Sequence, residues 1–262
     1  MEVVIFVGGR GTRMGSRERL VPKALYELGG RPIIRHVMEL YQATGHRDFV
    51  LTLGHQGSAI VEYFAERPLY LDQDVRLEVG GQERRVSYLA GEPQPVTIKC
   101  VRTGLETGKG ERLRRVAPYL QGNTFFATYG DGLADIDLDA LLAFHKGHGK
   151  VATLTAVRTR SQFGHVAIGD GGAIERIEEK PPLPGWVNGG FFVFERRILD
   201  YLQPGDELEP DCFPRLVAAG ELAAFTHEGF WACMDTDKDY AALDALCQGG
   251  RPPWRRQTAG DR

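Results

Sequence analysis

Four short stretches hold residues whose types and spacing could do chemistry. Gly8-Gly9-Arg10-Gly11-Thr12-Arg13 is followed by Pro22-Lys23, with Lys23 ten residues beyond Arg13. Three glycines let a backbone approach a polyphosphate closely, and successive N–H groups can form an anion-binding nest. Arg13 and Lys23 could neutralise charge on such a ligand; the competing reading is a glycine-rich turn with solvated arginines. Tyr129-Gly130-Asp131-Gly132 places a carboxylate in a glycine turn, and Met234-Asp235-Thr236 supplies a second one far along the chain. Alone, Asp131 also suits a simple turn former. If the two converge they suit Mg²⁺, which takes oxygen ligands and is commonly held by one or two carboxylates plus substrate phosphates. Glu179-Lys180-Pro181 could present Lys180 into a cleft on an extended chain, or as a solvated charge. Trp186-Val187-Asn188-Gly189-Gly190-Phe191 allows close approach by a ligand or by another backbone.

Other chemistries lack their residues. Met14 stands where the third glycine of a dinucleotide-binding fingerprint belongs, and the Gly104–Lys109 stretch is mis-spaced for a P-loop. The seven histidines are scattered with no H-E-x-x-H pair, and no G-x-S-x-G elbow occurs.

Elements that would position these residues follow from the apolar pattern. Val3–Val7 is a β-branched run closed by glycines, predicting a buried strand. Pro32–Thr44 has helical spacing, Phe49–Leu53 reads as a second strand, and a helix follows around Ser58–Phe64. This β-α-β-α opening favours a parallel sheet covered by helices. A hairpin is expected over Val75–Val79 and Arg84–Leu89. Further strands are expected at Val96–Val101, Phe125–Tyr129, Ala152–Val157, Gly164–Ile168, Ile174–Glu178, Gly189–Phe194 and Leu222–Thr226. Helices are expected at Leu113–Leu120, Leu138–His148, Ile198–Tyr201, Phe213–Ala219 and Asp237–Cys247. Asp131 then ends a buried parallel strand, where open α/β sheets place ligands. The expected organisation is one domain over residues 1–248 and a mobile tail over 249–262.

The chain has 262 residues, 42% of them hydrophobic and 26% charged, close to ordinary globular composition. Lys and Arg total 32 against 35 Asp and Glu, a formal charge of −3, so no global basic excess points to nucleic acid or to an anionic membrane. No apolar run is long enough to span a bilayer, and the start of the chain lacks a signal-peptide pattern. Cys100, Cys212, Cys233 and Cys247 lie far apart, as expected of reduced thiols in a cytoplasmic protein.

The order of these pieces resembles the sugar-1-phosphate nucleotidyltransferases, and within them the glucose-1-phosphate cytidylyltransferase branch. The resemblance rests on Val7–Arg13 with Pro22-Lys23, Arg102–Gly104 with Gly110–Val116, Thr128–Asp137, Glu178–Pro181, Val187–Glu195 and Gly229–Asp239. It implies an α/β Rossmann-like nucleotidyltransferase fold, with a mostly parallel central sheet flanked by helices and a small β-rich insertion. It also implies transfer of a nucleotidyl group from a nucleoside triphosphate, CTP in this branch, to a sugar 1-phosphate, here glucose 1-phosphate. Pyrophosphate is released and Mg²⁺ is required. Competing readings are the same reaction with dTTP, UTP, GTP or another sugar, a different acceptor such as phosphocholine or a polyol phosphate, or a non-catalytic nucleotide-sugar-binding homologue.

By position, the resemblance implies nucleotide binding by Phe6, Val7, Gly8, Gly9, Arg10, Gly11, Thr12, Arg13, Lys23, Thr103, Gly110, Arg112 and Gly130. It implies sugar-phosphate binding by Thr128, Tyr129, Glu179, Lys180, Asn188 and Gly189, and a metal on Asp131 and Asp235. Arg13, Lys23, Asp131 and Lys180 are the implied catalytic residues. The branch's Lys-Pro-Lys-Pro is here Val21-Pro22-Lys23-Ala24, and its Thr-Gly-Gly-Arg is Lys109-Gly110-Glu111-Arg112. A homo-oligomer is also implied, and the hairpin near residues 75–88 could meet a neighbouring subunit.

Overall fold

Strand β1 (Glu2–Phe6) alternates its side chains between two hydrophobic cores: Val3 and Ile5 face one, Val4 and Phe6 the other. Both faces are therefore covered, the arrangement that a continuous β-branched run demands. The computed structural model describes residues 1–9, 21–66, 75–80, 83–89 and 94–255. In chain order β1 is followed by β2 (Glu27–Leu28), β3 (Arg31–Pro32), α1 (Ile33–Gln42), β4 (Asp48–Leu53), α2 (Gly57–Glu66), β5 (Val75–Gly80), β6 (Glu83–Tyr88) and β7 (Thr97–Arg102). Then come α3 (Lys109–Val116), β8 (Thr124–Tyr129), β9 (Gly132–Ala134), α4 (Leu138–His148), β10 (Ala152–Val157), β11 (His165–Ile168), β12 (Ile174–Glu178) and β13 (Val187–Glu195). The last are α5 (Phe213–Ala218), β14 (Leu222–His227), β15 (Trp231–Cys233) and α6 (Asp237–Gln248).

Seven strands form the central sheet in the order β14-β10-β13-β8-β1-β4-β7. All neighbours run parallel except β13, which is antiparallel to both β8 and β10. α1, α2, α4 and α6 cover one face through residues such as Ile34, Ile60, Leu141 and Leu243. α3 and α5 cover the other through Leu113, Val116 and Leu216. This is the mostly parallel, helix-flanked sheet expected. The chain moves from β1 outward to β4 and β7, then returns to the other side of β1 as β8. The carboxyl ends of β1 and β8 thus flank a topological switch point, where open α/β sheets leave a crevice for ligands.

Outside the sheet, β5 and β6 pair as the expected antiparallel hairpin, and β11 and β12 form a second one. Two differences from the sequence reading bear on the site. α3 begins at Lys109, four residues before the expected Leu113, so Lys109 to Arg112 form its first turn. β9 and β15, unforeseen, pair antiparallel, with Cys233 opposite Gly132 and Trp231 opposite Ala134.

In the segment expected to be a mobile tail, Trp254 is 2% exposed and packs between the rings of His36 and Phe230. The chain is thus docked at least that far. No helix among the described residues is long and apolar enough to cross a membrane.

Candidate active site

β1 delivers Phe6, Val7, Gly8 and Gly9 to the switch point. Phe6 and Val7 are buried at its end, and Gly9 is exposed beyond it. The rest of the expected loop, Arg10, Gly11, Thr12 and Arg13, lies outside the described residues. Glycine is required at Gly54 because a Cβ there would strike the Gly8 carbonyl, and at Gly8 because a Cβ would strike the Arg112 guanidinium and the Thr52 carbonyl. Gly130 closes on β1 from the other side. Its N–H donates to the Phe6 carbonyl at 3.1 Å, and a Cβ there would come within 2.8 Å of Val7 Cγ1.

Arg112 underpins this floor. It is 3% exposed, and its Nη2 donates to the Gly8 carbonyl at 2.9 Å and to the Leu105 carbonyl at 3.3 Å. Nη1 donates to Thr103 Oγ1 at 2.5 Å and to the Leu53 carbonyl at 3.4 Å. Thr103, fully buried, donates in turn to the Leu53 carbonyl at 2.9 Å. Four guanidinium contacts therefore tie together the carboxyl ends of β1, β4 and β7. Burial pulls the Arg112 pKa down, against the opposing pull of the Glu207 carboxylate. Gly110 serves packing: a Cβ there would come within 2.8 Å of the Asp206 carbonyl. The geometry places Thr103, Gly110 and Arg112 beneath the site.

On the other side of the switch point, β8 ends at Tyr129 and the chain turns through Gly130 and Asp131 into β9. The pairing of β9 with β15 continues as a hydrogen bond from Met234 N–H to the Asp131 carbonyl, 2.9 Å long. This ladder sets Asp235 beside Asp131. Asp235 is fixed from its other side by the start of α6. There Thr236 caps the helix and accepts from Asp239 N–H, while Asp239 accepts from the N–H groups of Thr236 and Asp235.

Two carboxylates held this close repel unless a cation lies between them. Lys23 provides one: its Nζ donates to Asp131 Oδ2 at 2.7 Å and to Asp235 Oδ1 at 2.9 Å, with its side chain 15% exposed. Burial alone would pull the Lys23 pKa down, but the two carboxylates outweigh it and hold the pKa above its ordinary value. Cys233 Sγ completes a group of three donor atoms, all within 4.8 Å of one another, with Asp131 and Asp235. Burial and the flanking carboxylates push that thiol's pKa far up.

A second polar group adjoins the first through Tyr129. Its phenol donates to Glu209 Oε1, accepts from Asn188 Nδ2 at 3.3 Å, and lies under Lys109 Nζ at 4.5 Å from the ring centre. Lys109 also pairs with Glu209 at 2.7 Å. Burial and the Glu209 carboxylate keep the phenol protonated by raising its pKa. β13 bulges opposite β10 at Gly189-Gly190, and a Cβ on Gly190 would come within 2.6 Å of the Tyr129 ring. The Gly189 carbonyl accepts from Trp231 Nε1 at 2.8 Å, which joins β13 to the β9–β15 pair.

Asn188, Gly189, Tyr129, Asp131, Asp235 and Lys23 are thus brought together. Thr128 is not among them: it is fully buried on the opposite face of β8 from Tyr129, with no surface for a ligand. Glu179 and Lys180 are not among them either: they pair with each other at 3.4 Å, with Glu179 exposed and Lys180 half-exposed. Lys180 has φ +48, a left-handed conformation that a lysine rarely adopts and that often marks a functional position. The residues missed from sequence are Glu209, delivered by the wide turn Leu208–Cys212, and Lys109 as its partner. Only their charge could have marked them.

A family model described as "Nucleotidyl transferase" matches residues 2–245. The chain is 40% identical to glucose-1-phosphate cytidylyltransferases of Salmonella typhi and Salmonella typhimurium, over 97% of this chain and 99% of each relative. Its fold matches the crystal structure of HddC from Yersinia pseudotuberculosis complexed with GMP-PN. That match has a TM-score of 0.68 and 19% identity, and covers 95% of this chain and 99% of that one. With a family match over nearly its whole length and a carboxylate pair at the switch point of the expected sheet, the chain belongs to the nucleotidyl transferase family.

Proposed function

We propose that the chain transfers a cytidylyl group from CTP to glucose 1-phosphate, forming CDP-glucose and releasing pyrophosphate. The observation that carries this is the convergence of Asp131 and Asp235 on Lys23 at the switch point, where Gly130 bonds to the end of β1. The choice of CTP and glucose 1-phosphate rests on the two full-length relatives named for that reaction.

The donor set suits a hard divalent cation: two carboxylate oxygens already point at one positive charge, that of Lys23. Asp131 and Asp235 would hold Mg²⁺, which supplies charge neutralisation of triphosphate oxygens when bound. A sugar phosphate is anionic at neutral pH and needs no general base. Its oxygen attacks the α-phosphorus in line, and the bond to pyrophosphate breaks. What remains for the protein is positioning and charge stabilisation. Gly8, Gly9 and Gly130 offer backbone to the nucleotide. Lys23 and Arg13 stabilise charge on the α-phosphate and leaving group. Lys180 binds the attacking phosphate, while Asn188 and Tyr129 orient the sugar. We infer that the reaction runs in the cytoplasm and that the chain forms a homo-oligomer through its two hairpins, β5–β6 and β11–β12. There Val79 and Leu89 on one, and Ile168 and Ile177 on the other, are each more than 60% exposed.

The test is chromatographic detection of CDP-glucose from CTP and glucose 1-phosphate. The wild-type chain is expected to form it. Absence of product from a folded wild-type chain under saturating Mg²⁺ rejects the proposal.

A further inference from the structure

Asp131 and Asp235 each commit one oxygen to the ammonium of Lys23, at 2.7 and 2.9 Å. The lysine is placed there by its backbone. Pro22 leads into a tight turn in which Leu25 N–H donates to the Pro22 carbonyl at 2.8 Å and Tyr26 N–H to the Lys23 carbonyl at 3.1 Å. Ala24, Tyr26 and Leu28 anchor that turn in the core, and Ile33 N–H at the start of α1 donates to the Tyr26 carbonyl at 2.8 Å. The turn is therefore fixed, and the flexible part is the four-carbon stem carrying the charge. Together the three side chains bear one net negative charge. Adding a divalent cation with Lys23 in place would make the group net positive in a partly buried site, an unfavourable state. Moving the ammonium away, or bringing in an anion, removes that penalty.

We propose that Lys23 occupies the divalent-cation position in the nucleotide-free protein, so that metal and lysine compete for the same two carboxylate oxygens. The triphosphate resolves the competition, because it offers the released ammonium a new anionic partner. Metal binding and nucleotide binding are then coupled through one side chain, and by linkage each strengthens the other equally. This rests on the reading of Asp131 and Asp235 as the metal ligands and adds to it the role of Lys23 as the intrinsic competitor. It also gives a reason for a lysine at this point: without a cation the two carboxylates would repel each other in the free protein.

The experiment is an Mn²⁺ titration followed by electron paramagnetic resonance on the full-length chain without nucleotide. It compares wild type with Lys23→Met, Lys23→Gln and the double variant Lys23→Met/Asp131→Asn. Both single variants are expected to bind Mn²⁺ at least about 10-fold more tightly than wild type, since a competing unit charge in direct contact is removed. The double variant is expected to lose that gain. Wild-type and Lys23→Gln chains of equal affinity would overturn the competition while leaving the carboxylates as metal ligands. A gain that survives Asp131→Asn would overturn both the competition and the assignment of the ligands. Circular dichroism on each variant shows that the fold is retained, and the glutamine variant covers the case in which methionine does not fold.

Discussion

Asp131 and Asp235 are useful only as a pair, because one carboxylate beside a phosphate repels and two can hold a cation that attracts. Asp131→Asn is therefore expected to lower kcat at least about 10²-fold, the scale of losing one strong electrostatic stabiliser, when CDP-glucose formation is followed at saturating Mg²⁺. Turnover near wild type would remove Asp131 from the reaction. Lys180 is different: it is half-exposed, paired among the described residues with its neighbour Glu179, and held in a left-handed conformation. Lys180→Ala should raise KM for the sugar phosphate more than for CTP, and equal effects on both would reject its assignment to the acceptor. Arg112 illustrates a reading that spacing alone could not make. An arginine in the segment expected to meet the nucleotide is also well suited to bind phosphate, yet here its guanidinium satisfies the buried Leu53 and Gly8 carbonyls at the ends of β4 and β1 and the Thr103 hydroxyl just beyond β7. Arg112→Met would leave those acceptors unpaired and should cost at least about 3 kcal/mol in urea unfolding. An unchanged urea midpoint would mean the floor of the site stands without it.

At the scale of elements, the inner strands β1, β4, β8, β10 and β13 were legible because each is a run of apolar or β-branched residues buried on both faces, and the half-buried edge strands β7 and β14 by their shorter apolar runs. β9 and β15 were not legible. Each has three residues, too few for a period, and their pairing joins segments far apart in the chain. Yet this pair, with the Thr236–Asp239 cap of α6, converts two separate aspartates into one site. The same limit hid Glu209: its turn contains Pro210 and no repeating pattern, and its role appears only when the turn packs against Tyr129. The bulge in β13 was foreshadowed by its glycine pair. Gly190 combines φ +78 with a ring at contact distance, so Gly190→Ala should be destabilising by about 1–3 kcal/mol and should displace Tyr129. A crystal structure of that variant with Tyr129 unmoved would contradict the role given to the bulge.

For the whole molecule, the fold's pH response follows from groups spread through both cores. Burial lowers the pKa of His145 below its ordinary 6.5, although Glu195 opposes the shift, and His36 is lowered in the same way. For such a group the folded state binds fewer protons than the unfolded one, so stability is present above pH 6.5 and is lost as pH falls through the folded value. The carboxylates act lower down. A hydrogen bond from Arg215 holds Asp206 below its ordinary 3.8. Glu2 is raised by burial but lowered more by Lys99 and two backbone N–H groups, below 4.5. Thermal melts should therefore decline in two stages, beginning below pH 6.5 and steepening below pH 4.5. His145→Gln should flatten the first stage alone; an unchanged first stage would mean that His145 is not part of it.

The tail shows the same dependence on long-range packing. Pro252, Pro253 and the glycines read as a loose end, whereas Trp254 finds His36 and Phe230 only in the folded chain.

The most direct measurement is pyrophosphate release from glucose 1-phosphate and Mg²⁺ with CTP, UTP, dTTP, ATP and GTP supplied one at a time. Release with CTP well above the other four is the predicted result, and release greatest with another nucleotide, or with none, would contradict it.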